Sequence, residues 1–388
     1  MSIFKQTESS QCPSSNKKPI DIVTIFENLS NELFLNIFEY FDAYQLHLTF
    51  GQLNSRFNSL LDNARLHFDL DSIPLHEFSS FSLSLNFNNI LSFTSRNLDK
   101  TRSWLFDNNE VLQQFSLIRA LTLVNVTYGI INRLHERLPN LKNTLIYVSI
   151  SEATKTAKNA NKDEYIYFKH WCPTHEFCSN KYRFLRYLIM DTEYNHESFG
   201  CLSPTISTIR YFKLGHIYSI IWLIHLFRYS PQLKVLYVDE IYTVLDDGDF
   251  FNRYPTKKPI IFPCAINMHI FVVKNCYCEP ISIEYILRAC PYLKQLYLNS
   301  TVDYINHHQT IRTQIYNPIV WQSMIDQWGQ HLINLNITIK GDETFLDQDL
   351  TTEFWRLKSW QVKTLRSPPY FIIQNDHKIF DYFSLSRT

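Results

Sequence analysis

Apolar side chains between residues 29 and 61 recur at helical spacing, in three short bursts. Ser30 has the chemistry of an N-cap, and Glu32 falls in the first turn, where the helix dipole favours negative charge. Leu29 before the cap and Phe34 after it are spaced for a hydrophobic staple. Leu33, Ile37 and Phe41 follow at i, i+4 and i+8, flanked by Phe34 and Phe38. This apolar arc is wider than the roughly 100° of an ordinary surface helix. Asp42 opens a second helix with Leu46 and Leu48 to Phe50, and Asn54 or Ser55 opens a third with Phe57, Leu60 and Leu61. A unit of about 40 residues rarely closes a core alone. The pattern therefore predicts surplus apolar surface, covered either by the rest of the chain or by another protein.

Beyond residue 66 the pattern changes to a recurring phrase, L-x-x-L-x-L, with aromatic or β-branched residues allowed at the apolar places. Ser230–Glu240, "SPQLKVLYVDE", and Cys290–Ser300, "CPYLKQLYLNS", are near copies. Looser copies cover Leu117–Val126, Leu138–Ile150, Arg183–Asp191, Ser207–Gly215, Met268–Asn275 and His331–Ile339. The first residue of each L-x-L falls at Leu121, Leu145, Leu188, Phe212, Leu236, Phe271, Leu296 and Leu335, with spacings of 24, 43, 24, 24, 35, 25 and 39. Several spacings lie within the 20–29 residues of leucine-rich repeats. Helical segments at Tyr218–Ser230, Ser282–Pro291 and Pro318–Gln330 separate the phrases.

Strand followed by helix at this period predicts an α/β fold, a curved leucine-rich-repeat solenoid with parallel inner strands and outer helices. Leu66–Leu70 is placed as an opening strand. The competing reading is an α/β domain whose strand–helix units recur by chance. The long spacings predict insertions near 151–180, 241–257 and 300–318 on one rim, either as decoration or as a binding surface. Residues between the paired apolar positions should line the open strand face: Thr122, Ile146, Ile189, Lys213, Tyr237, Val272, Tyr297 and Thr338. Of these, Lys213, Tyr237 and Tyr297 are the candidate target-binding residues.

The helical stretch resembles the F-box family. Leu29, Glu32, Leu33, Ile37, Phe38, Tyr40, Asp42, Leu46, Asn54, Arg56 and Phe57 stand where that family's pattern expects them. Ser30 replaces its usual proline and Phe41 a leucine. The resemblance implies a three-helix F-box that docks onto the small adaptor of a cullin-RING (SCF-type) ubiquitin ligase. It implies adaptor contacts through Leu29, Glu32, Leu33, Phe34, Ile37, Phe38 and Leu46, with Asn54, Arg56 and Phe57 closing the unit. The chain would then be a substrate receptor rather than an enzyme, its solenoid holding a target protein. A solenoid scaffold without ligase association is the alternative. The expected division is a disordered tail over 1–20, the helical unit over 21–65, the solenoid over 66–345, and a cap or tail over 346–388.

Composition narrows the field. Glycine is scarce, 7 of 388 residues, and no phosphate-cradling glycine loop occurs. Lys+Arg and Asp+Glu balance at 37 each, which argues against whole-molecule nucleic-acid binding but not against a local patch. The polar start lacks a secretory h-region, and the longest apolar run, Ile220–Ile224, is far shorter than a membrane span. A cytoplasmic or nuclear protein is expected, with no membrane partner and no cofactor. Cys172, His175 and Cys178, with Cys276 and Cys278 elsewhere, fall short of a tetrahedral zinc set; loop cysteines and a buried histidine are the plainer expectation. Asp246–Asp249 reads as a solvated turn and His307–His308 as surface. Neither a nucleophile elbow nor H-E-x-x-H is present.

Overall fold

The computed structural model describes residues 27–74, 76–77, 81, 86–97, 115–126, 130, 134, 140–152, 177, 182–191, 207–217, 220–242, 265–278, 280–301, 318–340, 360–366 and 369–375. Among the described residues three short helices come first: α1 (Asn31–Phe38), α2 (Ala43–Phe50) and α3 (Ser55–Asn63). Each begins on a residue whose side chain satisfies a free backbone N–H. Ser30 Oγ accepts from Leu33 N at 3.4 Å, Asp42 Oδ1 from Gln45 N at 2.9 Å, and Asn54 Oδ1 from Phe57 N at 3.0 Å. Gln45 returns the bond to Asp42 N, completing a capping box.

Ten parallel strands follow in sequence order. They are β1 (Leu66–Asp69), β2 (Ile90–Ser95), β3 (Ala120–Val126), β4 (Tyr147–Glu152), β5 (Tyr187–Asp191), β6 (Tyr211–Ile217), β7 (Val235–Tyr242), β8 (Ile270–Tyr277), β9 (Gln295–Thr301) and β10 (Asn334–Lys340). Beyond β10 lie two antiparallel strands, β11 (Trp360–Arg366) and β12 (Pro369–Asn375), with β12 paired to both β10 and β11. The expected cap or tail over 346–388 thus contains a hairpin at the sheet's edge. Helix α4 (Leu141–Thr144) precedes β4; α5 (Ile220–Tyr229), α6 (Pro280–Ala289) and α7 (Pro318–Trp328) occupy the three segments expected to be helical.

Register explains why the phrase recurs. Phe68, Phe93, Leu121, Val148, Leu188, Phe212, Leu236, Phe271, Leu296 and Leu335 stand side by side across β1–β10, every one of them buried. Two residues further along, a second buried row runs from Ser95 through Leu123, Ile150, Met190, Leu214, Val238, Val273 and Leu298 to Ile337. Strand side chains alternate, so both rows face the same way and meet the apolar faces of α5, α6 and α7 in one continuous core.

The row corrects one sequence alignment: in β4 the row residue is Val148, not Leu145. Leu66–Leu70, placed as an opening strand, falls on β1, and a further strand, β2, lies between it and β3. The expected insertions at 151–180, 241–257 and 300–318 lie almost entirely outside the described residues, as does the tail at 1–20. The helical unit is joined to the sheet. Helix α2 packs on β1, a bridge pairs Asp42 with His67, and the Tyr44 hydroxyl donates to Glu77 at 2.6 Å.

Candidate functional site

In the helical unit, the phenylalanines form the inside. Phe34 and Phe57 meet edge to face at 4.9 Å, Phe50 stacks on Phe57 at 5.6 Å, and Phe38 lies 5.0 Å from Phe50. Arg56 clasps the start of α1. Its guanidinium donates to Asn31 Oδ1 at 2.8 and 3.0 Å, and to the carbonyls of Leu29 and Glu27, while standing 5.4 Å over the Phe34 ring. A planar, multi-donor head is the only side chain able to hold three acceptors this way.

This packing divides the residues expected to contact a partner. Phe34, Phe38 and Leu46 are 0–1% exposed and belong to the continuous core. The wide apolar arc of α1 explains the difference: its Phe34–Phe38 side is needed to close the core. Leu33, by contrast, is 49% exposed and Tyr40 88% exposed. Ile37 is half-buried between them at helical spacing, Leu29 is half-buried, and Glu32 is exposed. A hydrogen bond from its own backbone N–H, then one from the Ser30 hydroxyl, holds the Glu32 carboxyl below the usual carboxylate range. Leu48 and Leu53 are exposed as well, a surface the sequence pattern did not single out.

The second surface is the strand face opposite the buried rows. Strand register aligns Thr122, Ser149, Ile189, Lys213, Tyr237, Val272, Tyr297 and Asn336. Six of the eight positions match the sequence expectation, while Ser149 replaces Ile146 and Asn336 replaces Thr338. Lys213 and Tyr237 are direct neighbours, and Tyr297 stands two strands from Tyr237 across Val272.

Lys213 Nζ is 3.3 Å from Asp239 Oδ2 and 5.1 Å over the Tyr237 ring. Burial, then the Asp239 carboxylate beside it, pushes the Tyr237 phenol up to about 12. Tyr211 is raised as well, by burial and then by Tyr147 and Asp239, and its ring lies 6.2 Å from that of Tyr187. The result is a tyrosine-rich platform over β4–β7 that carries one ion pair. It suits contact with another polypeptide.

Toward the strand ends, a polar cluster appears that sequence spacing did not reveal. His216, Glu240 and Asn275 share a register row on β6, β7 and β8. Glu240 accepts from Tyr242 at 2.5 Å and from Asn275 at 3.3 Å, and lies 3.0 Å from His216 Nδ1. Burial alone would raise its carboxyl, but the Tyr242 hydroxyl, the His216 charge and the Asn275 amide hold it below the ordinary value. The cluster fixes the strand ends where the chain leaves β7, and Tyr242 stacks on Tyr277 at 4.6 Å.

Cys276 and Cys278 are buried, the Cys278 thiol 3.8 Å from the Ile241 carbonyl, while Cys172, His175, Cys178, Asp246–Asp249 and His307–His308 lie outside the described residues. Among the described residues no three His, Cys, Asp or Glu side chains come together as a metal site, and no helix is long and apolar enough to cross a membrane. Comparison of the sequence with protein-family models and with curated proteins finds no match.

Proposed function

We propose that this chain is the substrate-recognition subunit of an SCF-type ubiquitin ligase, its helical unit an F-box and its strand stack a curved leucine-rich-repeat solenoid. One observation carries the reading. The helical unit completes its own phenylalanine core and still leaves Leu33 and Tyr40 in solvent, with Ile37 between them. Leu33 and Ile37 at i, i+4 on a capped helix, with Tyr40 just past its end, are the anchors of a helix-mediated contact. Leu29, Glu32, Leu33 and Ile37 remain as adaptor contacts, joined by Tyr40. The buried Phe34, Phe38 and Leu46 set the helix in place.

The open strand face, with Lys213, Tyr237 and Tyr297 on it, supplies a target-facing surface away from the helical unit. In this reading the chain performs no chemistry; ubiquitin transfer belongs to the other subunits. Co-expression of the full chain with the ligase's small adaptor tests it. The two proteins should co-purify in equal amounts through size-exclusion chromatography. If the chain elutes alone while folded, a partner-binding scaffold without a ligase replaces this reading.

A further inference from the structure

A separate surface runs along the edge where the parallel strands begin. The residue just before each strand bonds to the next strand in one repeated way. Its carbonyl accepts two N–H groups: the Arg186 carbonyl takes Arg210 N and Tyr211 N at 2.9 and 3.0 Å, that of Arg210 takes Lys234 N and Val235 N at 2.8 and 3.1 Å, and that of Lys234 takes His269 N and Ile270 N at 2.9 and 3.1 Å. The same fork links Arg119 to Ile146, Ile146 to Arg186, His269 to Lys294 and Lys294 to Ile333. Seven repetitions of one backbone geometry place these side chains in a line at the strand pitch of about 4.8 Å.

The line is cationic. Of its eight positions, six are Arg119, Arg186, Arg210, Lys234, His269 and Lys294. None of the six makes an ion pair with a carboxylate among the described residues. Arg119, Arg210, Lys234 and Lys294 are exposed; Arg186 is half-buried and turned onto the Thr208 carbonyl at 3.1 Å. Like charges set side by side along an edge repel one another in the free protein. Large apolar side chains stand out beside them: Leu117, Phe184, Ile266, Tyr292 and Ile333 are each 45–57% exposed.

We propose that this edge is a docking surface for an acidic polypeptide segment carrying apolar side chains. Charge complementarity supplies the sign of the partner, and the run from Arg186 to Lys294, permanently cationic at every position but His269, spans about 20 Å. An extended segment repeats its same-side residues every ~6.7 Å, so about seven residues with alternating carboxylates cover that run. The aliphatic neighbours Leu117, Ile266 and Ile333 give apolar side chains something to bury against. Of the five exposed apolar side chains, only Phe184 and Tyr292 offer a ring for a nucleic-acid base to stack on, and the aliphatic majority favours a polypeptide over a single-stranded nucleic acid. Burial and the flanking Lys294 and Lys234 hold the His269 imidazole below its usual range, and a bound carboxylate would reverse that.

The test uses the full chain and a fluorescein-labelled peptide in which glutamate alternates with leucine and tyrosine, read by anisotropy. Binding should weaken as salt rises. It should fall about tenfold or more in an Arg210→Glu, Lys234→Glu variant whose thermal midpoint is unchanged, two exposed charges being reversed. It should also fall for the same peptide with glutamine in place of glutamate. A charge-reversed variant that binds as tightly, or a peptide that fails to bind the wild type, overturns the proposal. So does oligo-dT that displaces the peptide at equal charge. A Leu33→Asp variant should bind the peptide normally, which separates this surface from the helical unit and from the ligase reading.

Discussion

The helical unit and the strand stack solve the same problem, burying apolar side chains in a chain poor in glycine, by different means. The helical unit is closed by caps, one arginine clasp and a knot of four phenylalanines within a stretch of about 30 residues. Its contacts are individual, and some apolar surface is left over. The stack is closed by rows: one position repeated across ten strands, buried in each, with backbone hydrogen bonds alike from strand to strand. Its surplus is mixed, aromatic and polar along a face, cationic with apolar side chains interspersed along an edge. A unit built from individual contacts has a few residues that decide everything, whereas a unit built from rows spreads that load over many.

The largest expected effect tests the rows. Phe271 is fully buried, with row neighbours on both sides, so Phe271→Ala should cost about 3–5 kcal/mol and lower the denaturation midpoint of the stack. A loss below about 1 kcal/mol would mean the row is not packed as described. In the helical unit, Arg56→Ala removes charge-assisted bonds to Asn31 and two carbonyls. It should cost about 1.5–3 kcal/mol. Hydrogen exchange should show α1 losing protection while β7–β9 keep theirs. Arg56→Lys should not restore it, because an ammonium lacks the fork. Equal loss in both regions would erase the distinction between them.

How much of this was legible in the sequence follows from the same contrast. The caps at Ser30, Asp42 and Asn54 were readable because a cap is one residue acting three positions away. The rows were readable wherever the phrase kept its length. They failed at β4, where "LKNTLIYVSI" offers apolar residues at several phases and the register chose Val148. Strand β2 was missed because in "ILSFTS" Ser95 stands where the phrase has its last apolar residue, after Ile90 and Phe93; its pairing with β1 and β3 makes it a strand. The open-face residues Lys213, Tyr237 and Tyr297 were found by alternation alone. The division of α1 between core and surface was not. Periodicity shows that an arc is wide, but only the positions of α2 and α3 decide that Phe34 and Phe38 turn inward and Leu33 outward.

Smaller effects sharpen the comparison. Asp42→Ala should cost about 1 kcal/mol through the lost capping box. On the stack's open face, the Tyr237 phenol stays protonated up to about 12 in the native protein, above its unfolded value of 10.0. The stabilisation is complete below pH 10 and is lost as pH rises toward 12, because the unfolded chain gives up the proton first. Tyr237→Phe should flatten that fall in denaturation midpoint between pH 10 and 12; an unchanged slope would place the titration on another group.

The affinity of the purified adaptor for the full chain and for a Leu33→Asp variant tests the central claim most directly. Burying a leucine at an interface contributes about 1.5–3 kcal/mol, so the variant should bind at least tenfold more weakly. Its thermal midpoint should stay put, since Leu33 is half in solvent. Equal binding by the two proteins, or no binding by either, would contradict the account.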